Sequence, residues 1–308
     1  MKDISKYQGI FPAFYACYDK NGDISLPAVE ALTQHFVDKG VKGVYVGGSS
    51  GECIYQTVSE RKALLEQVVK TAQGKLTIIA HIACNNTAES AELARHAASL
   101  GVDAIASIPP IYFKLPDYAI ADYWNDMSAA AKGTDFIIYN IPQLAGVALS
   151  KPLLREMLKN PDVIGVKNSS MPTQDIEEFK LIGTEGGRPF VVFNGPDEQL
   201  VSGLVMGADG GIGGTYGAMP ELYLKIFNLV KAGDIETARQ VQYDALNIIS
   251  ALCSAKGNMY ATIKAVMKIR DGLDLGGVRK PLFNLVPEDM AKVEHAAQMI
   301  DDAVARWK

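Results

Sequence analysis

Lys167 stands at the C-terminal end of an apolar run, Val163 to Val166, that is typical of a buried strand. Lysine side chains are almost never fully buried unless they are paired or take part in chemistry. Burial disfavours the charged ammonium and lowers the pKa of a lysine from about 10.4 toward neutrality. A neutral amine can attack a ketone and form a Schiff base. The residue therefore indicates carbonyl chemistry, although a lysine that extends its ammonium to solvent would fit the same pattern.

A segment rich in glycine and serine, Gly47 to Gly51, follows the second predicted strand. Its glycines would let the backbone approach a ligand, while Ser49, Ser50 and the N–H groups around them would hold an anion such as a carboxylate. The plainer interpretation is a tight turn between a strand and a helix. The segment alone favours neither interpretation.

Two further polar features lie at the ends of predicted strands. Tyr139 ends the fifth strand, as either a core aromatic residue with a satisfied hydroxyl or a phenol that faces a site. Asp197 and Glu198 follow the seventh strand, where they either complement the start of a helix dipole or accept hydrogen bonds from substrate hydroxyls. In a parallel barrel, the C-terminal ends of the strands share one rim, and the chemistry lies there.

The elements that would position these residues alternate regularly along the chain. Short β-branched or aromatic runs predict eight strands, at 10–17, 41–47, 77–82, 103–108, 136–141, 163–169, 190–194 and 210–215. Helical patterns follow them at 26–39, 59–73, 87–100, 117–131, 150–159, 173–183, 196–206 and 219–231. Eight such units predict a (β/α)8 TIM barrel. A doubly wound open sheet would want a G-x-G-x-x-G loop after the first strand, and none occurs there.

After residue 231 the pattern is helical to the end, at 234–254, 258–271 and 287–306. We therefore predict a catalytic barrel over residues 1–231 and a C-terminal extension of three helices over 232–308 that packs on it. Thr57 and Glu60 have the spacing of a capping box at the start of the second helix.

Composition argues against several classes of protein. The net charge of −5 provides no basic surface for nucleic acid. The first residues lack the apolar region of a signal peptide, and no apolar stretch approaches the roughly 18 residues that a membrane span needs. The four cysteines are scattered, which favours reduced thiols over a disulfide framework. We expect a cytoplasmic enzyme that acts on a small molecule.

Metal, nucleotide and phosphate sites are not indicated. The four histidines show no metal-ligand spacing, and His81, which ends the third predicted strand, most simply has a structural role. Neither G-x-x-x-x-G-K-[ST] nor H-E-x-x-H occurs. The glycine-rich eighth strand lies where such barrels often bind phosphate. However, no lysine or arginine occurs between Arg188 and Lys225, which disfavours a phosphorylated substrate.

Three segments together resemble the Schiff-base-forming class I aldolases that use pyruvate, the superfamily of dihydrodipicolinate synthase and N-acetylneuraminate lyase. They are Tyr45–Glu52, Tyr139–Pro142 and Gly165–Lys167. The resemblance covers nearly the whole chain. It implies that Lys167 forms an imine with a 2-oxo acid, so that neither a metal nor an organic cofactor is needed.

Three features are more similar to the lyase branch than to the synthase branch. Leu144 stands where the synthases carry an arginine for a second carboxylate. Ile79–Cys84 resembles the lyase sequence, and Asn194–Glu198 matches the Gly-x-Asp-Glu with which lyases bind the hydroxylated tail of sialic acid. This resemblance implies cleavage of N-acetylneuraminate to N-acetylmannosamine and pyruvate.

The resemblance also implies roles for particular residues. The catalytic set would be Lys167, Tyr139, Ser49 and Tyr112. Tyr112 would reach the neighbouring subunit's site and join a Ser–Tyr–Tyr proton relay, in a homotetramer built as a dimer of dimers. The residues expected to bind substrate are Ser49, Ser50, Ser169, Gly195, Asp197, Glu198, Gly213 and Gly214.

Two departures from the lyase pattern keep related activities open. Pro196 stands where many lyases have an aromatic residue, and Gly214 where many have a serine that would contact a sugar hydroxyl. A 2-keto-3-deoxy sugar acid aldolase or dehydratase is the first alternative. Dihydrodipicolinate synthase, which Leu144 disfavours, is the second. A non-catalytic pyruvate or sugar sensor with the same fold would lack imine chemistry.

Overall fold

The computed structural model describes residues 2–308, and eight parallel strands alternate with helices along them. The strands are β1 Gly9–Pro12, β2 Gly43–Val46, β3 Thr77–His81, β4 Ala104–Ser107, β5 Asp135–Asn140, β6 Val163–Asn168, β7 Val191–Asn194 and β8 Gly210–Gly213. The sheet runs in the order β1-β8-β7-β6-β5-β4-β3-β2, and Ala13, just past β1, bridges to Tyr45 in β2. The strands therefore form a nearly closed barrel, and the predicted (β/α)8 fold is confirmed.

Each strand is followed by helix that covers the outside of the barrel. The predicted capping box opens α2, where the Glu60 N–H donates to Thr57 Oγ1 and the Thr57 N–H donates to Glu60 Oε2. The helices of the barrel are α1 Leu26–Asp38, α2 Val58–Ala72, α3 Thr87–Ser99, α4 Asp117–Ala130, α5 Pro142–Ala145, α6 Lys151–Met157, α7 Gln174–Gly183, α8 Leu200–Val205 and α9 Pro220–Lys231.

Two element boundaries differ from the prediction by more than three residues, and the short helix α5 was not predicted. The first strand ends at Pro12, because the apolar residues after it, such as Phe14 and Cys17, are buried in side-chain packing and not in the sheet. The helix predicted at 196–206 begins as a 3₁₀ turn over Asp197–Gln199, and α8 proper starts only at Leu200.

Two apolar layers hold the barrel. The outer layer lies between strands and helices, and it contains Phe136 and Ile138 of β5. The alternate residues of the same strand, Ile137 and Tyr139, face the inside, as the two-residue period of a strand requires. The inner layer consists of Tyr7, Phe11, Tyr45, Ile79, Ala104, Ala106, Ile137, Tyr139, Ile164, Val191, Phe193 and Ile212.

The pairing of β5 with β6 contains an irregularity. Phe136 pairs with Val163, but the next residue of β5, Ile137, pairs with Gly165. Strand β6 therefore has one extra residue, Ile164, which is a β-bulge.

This bulge turns Lys167 toward the inside of the barrel. Val163 packs in the outer layer, and strict alternation would place Lys167, four residues later, on the same outer side. The extra residue reverses the alternation. Lys167 pairs with the inward-facing Tyr139.

Three further helices follow the barrel, namely α10 Ile235–Leu252, α11 Met259–Asp271 and α12 Met290–Arg306. Helix α10 packs on α8 and α9, while α12 contacts α9, α10 and α11. Their buried side chains belong to the same outer apolar layer as those of the barrel helices. No helix within residues 2–308 is both long enough and apolar enough to span a membrane.

Candidate active site

Lys167 lies buried at the C-terminal rim of the barrel, over two aromatic rings. Its Nζ is 3.9 Å from the ring centroid of Tyr139 and 4.4 Å from that of Tyr45, and only 5% of the residue is exposed. Burial lowers the pKa of Lys167 to about 7, and the negative charge of Asp197 partly opposes this shift. About half of the amine is therefore neutral near pH 7, the form that attacks a carbonyl group.

Tyr139 supplies a protonated phenol beside that amine. It is buried at the end of β5, directly opposite Lys167 on β6. Burial raises the pKa of Tyr139 to about 12, while the nearby hydroxyls of Ser169 and Ser49 act to lower it. The two serines come from the loops after β6 and β2. The fold thus brings four of the predicted site residues to one place.

The segment after β2 forms a 3₁₀ turn over Ser49–Gly51. The first hydrogen bond of this turn runs from the Gly51 N–H to the Gly48 carbonyl oxygen, at 3.0 Å. The turn therefore leaves the N–H groups of Ser49 and Ser50 without a partner inside it. The Ser49 hydroxyl and two N–H groups on consecutive residues can receive a carboxylate. We refer to Ser49–Gly51 as the carboxylate cradle.

His81 contacts the start of this segment, in keeping with the structural role expected from the sequence. Burial, helped by the positive charge of Arg61, lowers the pKa of His81 to about 3, so the ring is neutral. Its Nδ1 lies 2.8 Å from the carbonyl oxygen of Gly47 and donates to it. Gly47 has φ +74°, a conformation that favours glycine. The ring centroids of His81 and Tyr139 are 6.0 Å apart, so His81 borders the site.

Asp197 is buried and already accepts three hydrogen bonds from the loop after β8. They come from the Gly214 N–H at 3.2 Å, the Thr215 N–H at 2.6 Å and the Thr215 hydroxyl at 2.5 Å. A carboxylate accepts about four, which leaves room for about one from a substrate hydroxyl. A Cβ atom at Gly213 would lie 2.3 Å from Asp197 Oδ1, so only glycine permits this approach. Burial raises the pKa of Asp197 to about 6, although the bonds from Thr215 oppose the shift.

Glu198, the adjacent carboxylate, is in a different environment. Its side chain is exposed, and it makes no hydrogen bond or ion pair with any residue in 2–308. The pair that the sequence predicts as one binding unit is therefore divided. Asp197 mainly supports a loop, and Glu198 is free to meet a ligand.

The loops after β6 and β7 are in contact at the rim. A Cβ atom at Gly195 would lie 2.0 Å from Ser169 Oγ, so glycine allows the two loops to approach each other closely. Ser169 is half-buried, as is Gly195. Gly195 thus lies against Ser169, whose hydroxyl is near Tyr139.

Gly214 borders the cradle and a side chain from the C-terminal extension. A Cβ atom there would lie 3.2 Å from Ser50 Oγ and 3.3 Å from the hydroxyl of Tyr260. Ser50 Oγ donates to that hydroxyl at 3.0 Å. Tyr260 belongs to α11, and no pattern in the sequence predicted that this helix reaches the site.

Tyr112 has an unusual conformation on the surface. It is 90% exposed, its φ is +86°, and its ring lies 5.0 Å from that of Phe113, which is also exposed. A non-glycine residue at positive φ is strained. Its hydroxyl makes no hydrogen bond with Ser49 or Tyr139 of the same chain, over residues 2–308.

Together these residues provide a neutral amine, a protonated phenol and an anion cradle at one rim. The combination suits imine formation with a 2-oxo acid, followed by proton transfer from a substrate hydroxyl. In the part of the chain that the structure describes, no group of three or more His, Cys, Asp or Glu side chains could hold a metal ion.

Comparison with known proteins adds a family and named relatives. The model of the Dihydrodipicolinate synthetase family matches residues 6–300. N-acetylneuraminate lyase of Mediterraneibacter gnavus is 65% identical over 307 residues, which cover 100% of this chain and 96% of that protein. N-acetylneuraminate lyase of Escherichia coli strain SMS-3-5 is 32% identical over 293 residues, which cover 95% of this chain and 97% of that protein.

A solved structure of similar sequence has the same fold throughout. The catalytic lysine mutant of Ruminococcus gnavus sialic acid aldolase superimposes with a TM-score of 0.98, at 64% identity, over 100% of both chains.

Proposed function

We propose that this chain, which belongs to the dihydrodipicolinate synthetase family, is a class I aldolase that cleaves N-acetylneuraminate into N-acetylmannosamine and pyruvate. The substrate is suggested by two relatives named N-acetylneuraminate lyase that align with nearly the whole chain. The observation that carries the chemistry is the amine of Lys167, which is buried against the ring of Tyr139. Burial lowers the pKa of Lys167 to about 7.

The reaction begins with neutral Lys167. Its Nζ attacks the C2 ketone of the open-chain sugar acid, and loss of water gives a protonated imine. The iminium accepts the electron pair of the C3–C4 bond when that bond breaks. The imine is therefore the electron sink, so we propose that no metal or organic cofactor is required.

Tyr139 manages the proton that leaves the C4 hydroxyl. The phenol relays this proton, with the substrate carboxylate nearby, while C4 becomes the aldehyde carbon of N-acetylmannosamine. The enamine that remains on Lys167 is protonated at C3. Water then hydrolyses the imine, which releases pyruvate and restores the free amine.

Two regions of the rim would bind the substrate. The hydroxyl of Ser49 and the N–H groups of Ser49 and Ser50 hold the C1 carboxylate close to Lys167. At the other end, Glu198 and the remaining acceptor site of Asp197 receive hydroxyls of the tail. The surrounding wall consists of Ser169, Gly195, Gly213 and Gly214.

We further propose a homotetramer built as a dimer of dimers. An exposed apolar patch is a common sign of an interface, and Tyr112 and Phe113 are large, exposed hydrophobic residues whose ring centroids lie 5.0 Å apart. The strained backbone of Tyr112 supports a functional role for its side chain. In this proposal, Tyr112 completes the relay of Ser49 and Tyr139 in the neighbouring subunit.

The organisation and location of the chain follow the same proposal. We assign residues 1–231 to the catalytic barrel and 232–308 to an extension of it, supported by the apolar layer that the two share. A cytoplasmic location is supported by the four cysteines Cys17, Cys53, Cys84 and Cys253, which are all free thiols.

Borohydride reduction tests the imine. The protein should become covalently modified at Lys167 when it is reduced in the presence of pyruvate, and Lys167→Ala should not. Absence of an adduct in the folded protein would instead favour a non-catalytic sensor.

A substrate panel tests the choice of sugar. We expect pyruvate release from N-acetylneuraminate with a higher kcat/KM than from a six-carbon 2-keto-3-deoxy sugar acid. The reverse order would favour the aldolase or dehydratase alternative, which the absence of a hydroxyl side chain at Gly214 supports. Synthase activity with an aldehyde that carries a carboxylate is disfavoured, because Leu144 offers that group no cation.

A further inference from the structure

A buried ion pair adjoins the carboxylate cradle. Lys264 Nζ lies 3.0 Å from Glu52 Oε1, and the side chains of the two residues are 1% and 0% exposed. Glu52 directly follows the cradle residues Ser49–Gly51, whereas Lys264 belongs to α11 in the C-terminal extension. Neither residue has a place in the mechanism above.

Stability alone does not account for this pair. Moving two charges out of water carries a large desolvation penalty, and apolar residues of similar volume are often as stabilising. Burial lowers the pKa of Lys264, although the charge of Glu52 opposes that shift. Both charged groups are nevertheless hydrogen-bonded to the backbone as well. Lys264 Nζ also donates to the Gly277 carbonyl at 2.6 Å, and the Arg279 N–H donates to Glu52 Oε2 at 2.9 Å.

The backbone of Glu52 connects the pair to the cradle. Glu52 has φ 54° and ψ 34°, the left-handed conformation that is unfavourable for a residue with a side chain. Its N–H donates to the Ser49 carbonyl at 3.0 Å and closes the turn. The ion pair holds the side chain of Glu52 and so maintains the conformation that ends the cradle.

The same helix contacts the cradle at a second point. Tyr260 and Lys264 are four residues apart on α11, so they lie on one face of the helix. Tyr260 accepts the hydrogen bond from Ser50, and Lys264 pairs with Glu52. Helix α11 therefore contacts the residues on both sides of Gly51, at the end of the carboxylate cradle.

We infer that Glu52 and Lys264 are positioning residues for the carboxylate cradle, and that helix α11 thereby sets the affinity of the site for the carboxylate of a 2-oxo acid. This inference rests on the proposed function. It gives the C-terminal extension a part in binding, since the groups that hold the carboxylate depend on contacts with α11.

The test uses the full chain with both charges removed, Glu52→Gln combined with Lys264→Met. We expect KM for N-acetylneuraminate and the pyruvate concentration that half-saturates borohydride trapping to rise about tenfold, while kcat falls less than about threefold. A merely structural pair would change the melting temperature and leave both binding measurements within about twofold of wild type. That result in a folded double variant would overturn the inference.

Lys180→Met is the matched control. Lys180 also donates to a carboxylate, Asp209 at 2.5 Å, and to a backbone carbonyl, that of Phe190 at 2.9 Å. That pair lies at the opposite end of the barrel, because Asp209 precedes β8. The variant should lower stability without raising KM. An equal rise of KM in Lys180→Met would attribute the effect to general loosening and overturn the inference.

Glu52→Gln serves if the double variant does not fold. Because burial already lowers the pKa of Lys264, the amine can become neutral once the carboxylate is removed. The same rise of KM is expected, and an unchanged KM would contradict the inference. Absence of trapping in the wild-type protein would instead reject the proposed function itself, and this inference with it.

Discussion

Lys167 and Tyr139 stand directly opposite each other on neighbouring strands, with the amine nitrogen 3.9 Å from the centre of the phenol ring. The ring face can stabilise positive charge on that nitrogen. The hydroxyl at the edge of the same ring is available for proton transfer. One residue therefore has two separable functions.

Substitution Tyr139→Phe separates them. It keeps the ring face and removes the relay, so kcat for cleavage should fall about 10²- to 10⁴-fold while KM changes little. Borohydride should still trap pyruvate on Lys167. A folded variant that keeps its kcat would show that another group moves the proton.

The pKa of Lys167 sets the acid limb of the pH profile. Burial lowers this pKa to about 7, and only the neutral amine reacts, so kcat/KM should fall about tenfold per pH unit below 7 and level off above it. The pKa of Tyr139, which burial raises to about 12, predicts no loss of the protonated phenol up to about pH 10. If the midpoint of the acid limb instead lay near pH 10, the amine of Lys167 would not be desolvated.

Asp197→Asn should move that acid limb to lower pH. Burial lowers the pKa of Lys167, and the negative charge of Asp197 raises it because it favours the ammonium. Removing it lowers the pKa further and leaves more neutral amine at acidic pH. The comparison is Glu198→Gln, which should raise KM for the sugar acid and leave the position of the limb unchanged.

Gly165→Ala tests the bulge that turns Lys167 inward. A Cβ atom there would lie 2.5 Å from the Val191 carbonyl oxygen, so β6 must shift against β7. We expect a loss of about 1 to 3 kcal/mol in the free energy of unfolding, and at least a tenfold loss of kcat/KM. The control is Gly183→Ala, whose added Cβ atom would clash with the ring of Phe190 at a place distant from the rim. It should reduce stability alone.

Mixed oligomers test the role of Tyr112. If Tyr112 acts in the neighbouring subunit, then inactive Lys167→Ala and impaired Tyr112→Phe should complement each other after subunits are exchanged. A random mixture would restore about a quarter of the sites, since half of the dimers are mixed and each has one intact site. Lys167→Ala mixed with Tyr139→Phe should give no such gain, because both residues come from the same chain. Failure of both mixtures would contradict the shared site.

The sequence predicts most of the scaffold because the relevant signals are local. Alternating apolar runs gave the eight strands and their helices, and the Thr57–Glu60 capping box appears as predicted. The predicted end of β1 and the predicted start of α8 were wrong because contacts distant in sequence determine them. The residues after Pro12 are apolar because they are buried in the core outside the sheet. Asp197 is held in a turn by the hydrogen bonds that it accepts from Thr215.

By itself, the sequence determined the barrel, the place of Lys167 at the end of a buried strand, and the segments that gather at one rim. Only the tertiary structure decided which way Lys167 faces, because a single extra residue at Ile164 reverses the alternation. It also decided that α11 reaches the cradle through Tyr260 and Lys264. The physical reason is that register shifts and burial depend on partners distant in sequence, which local patterns do not encode.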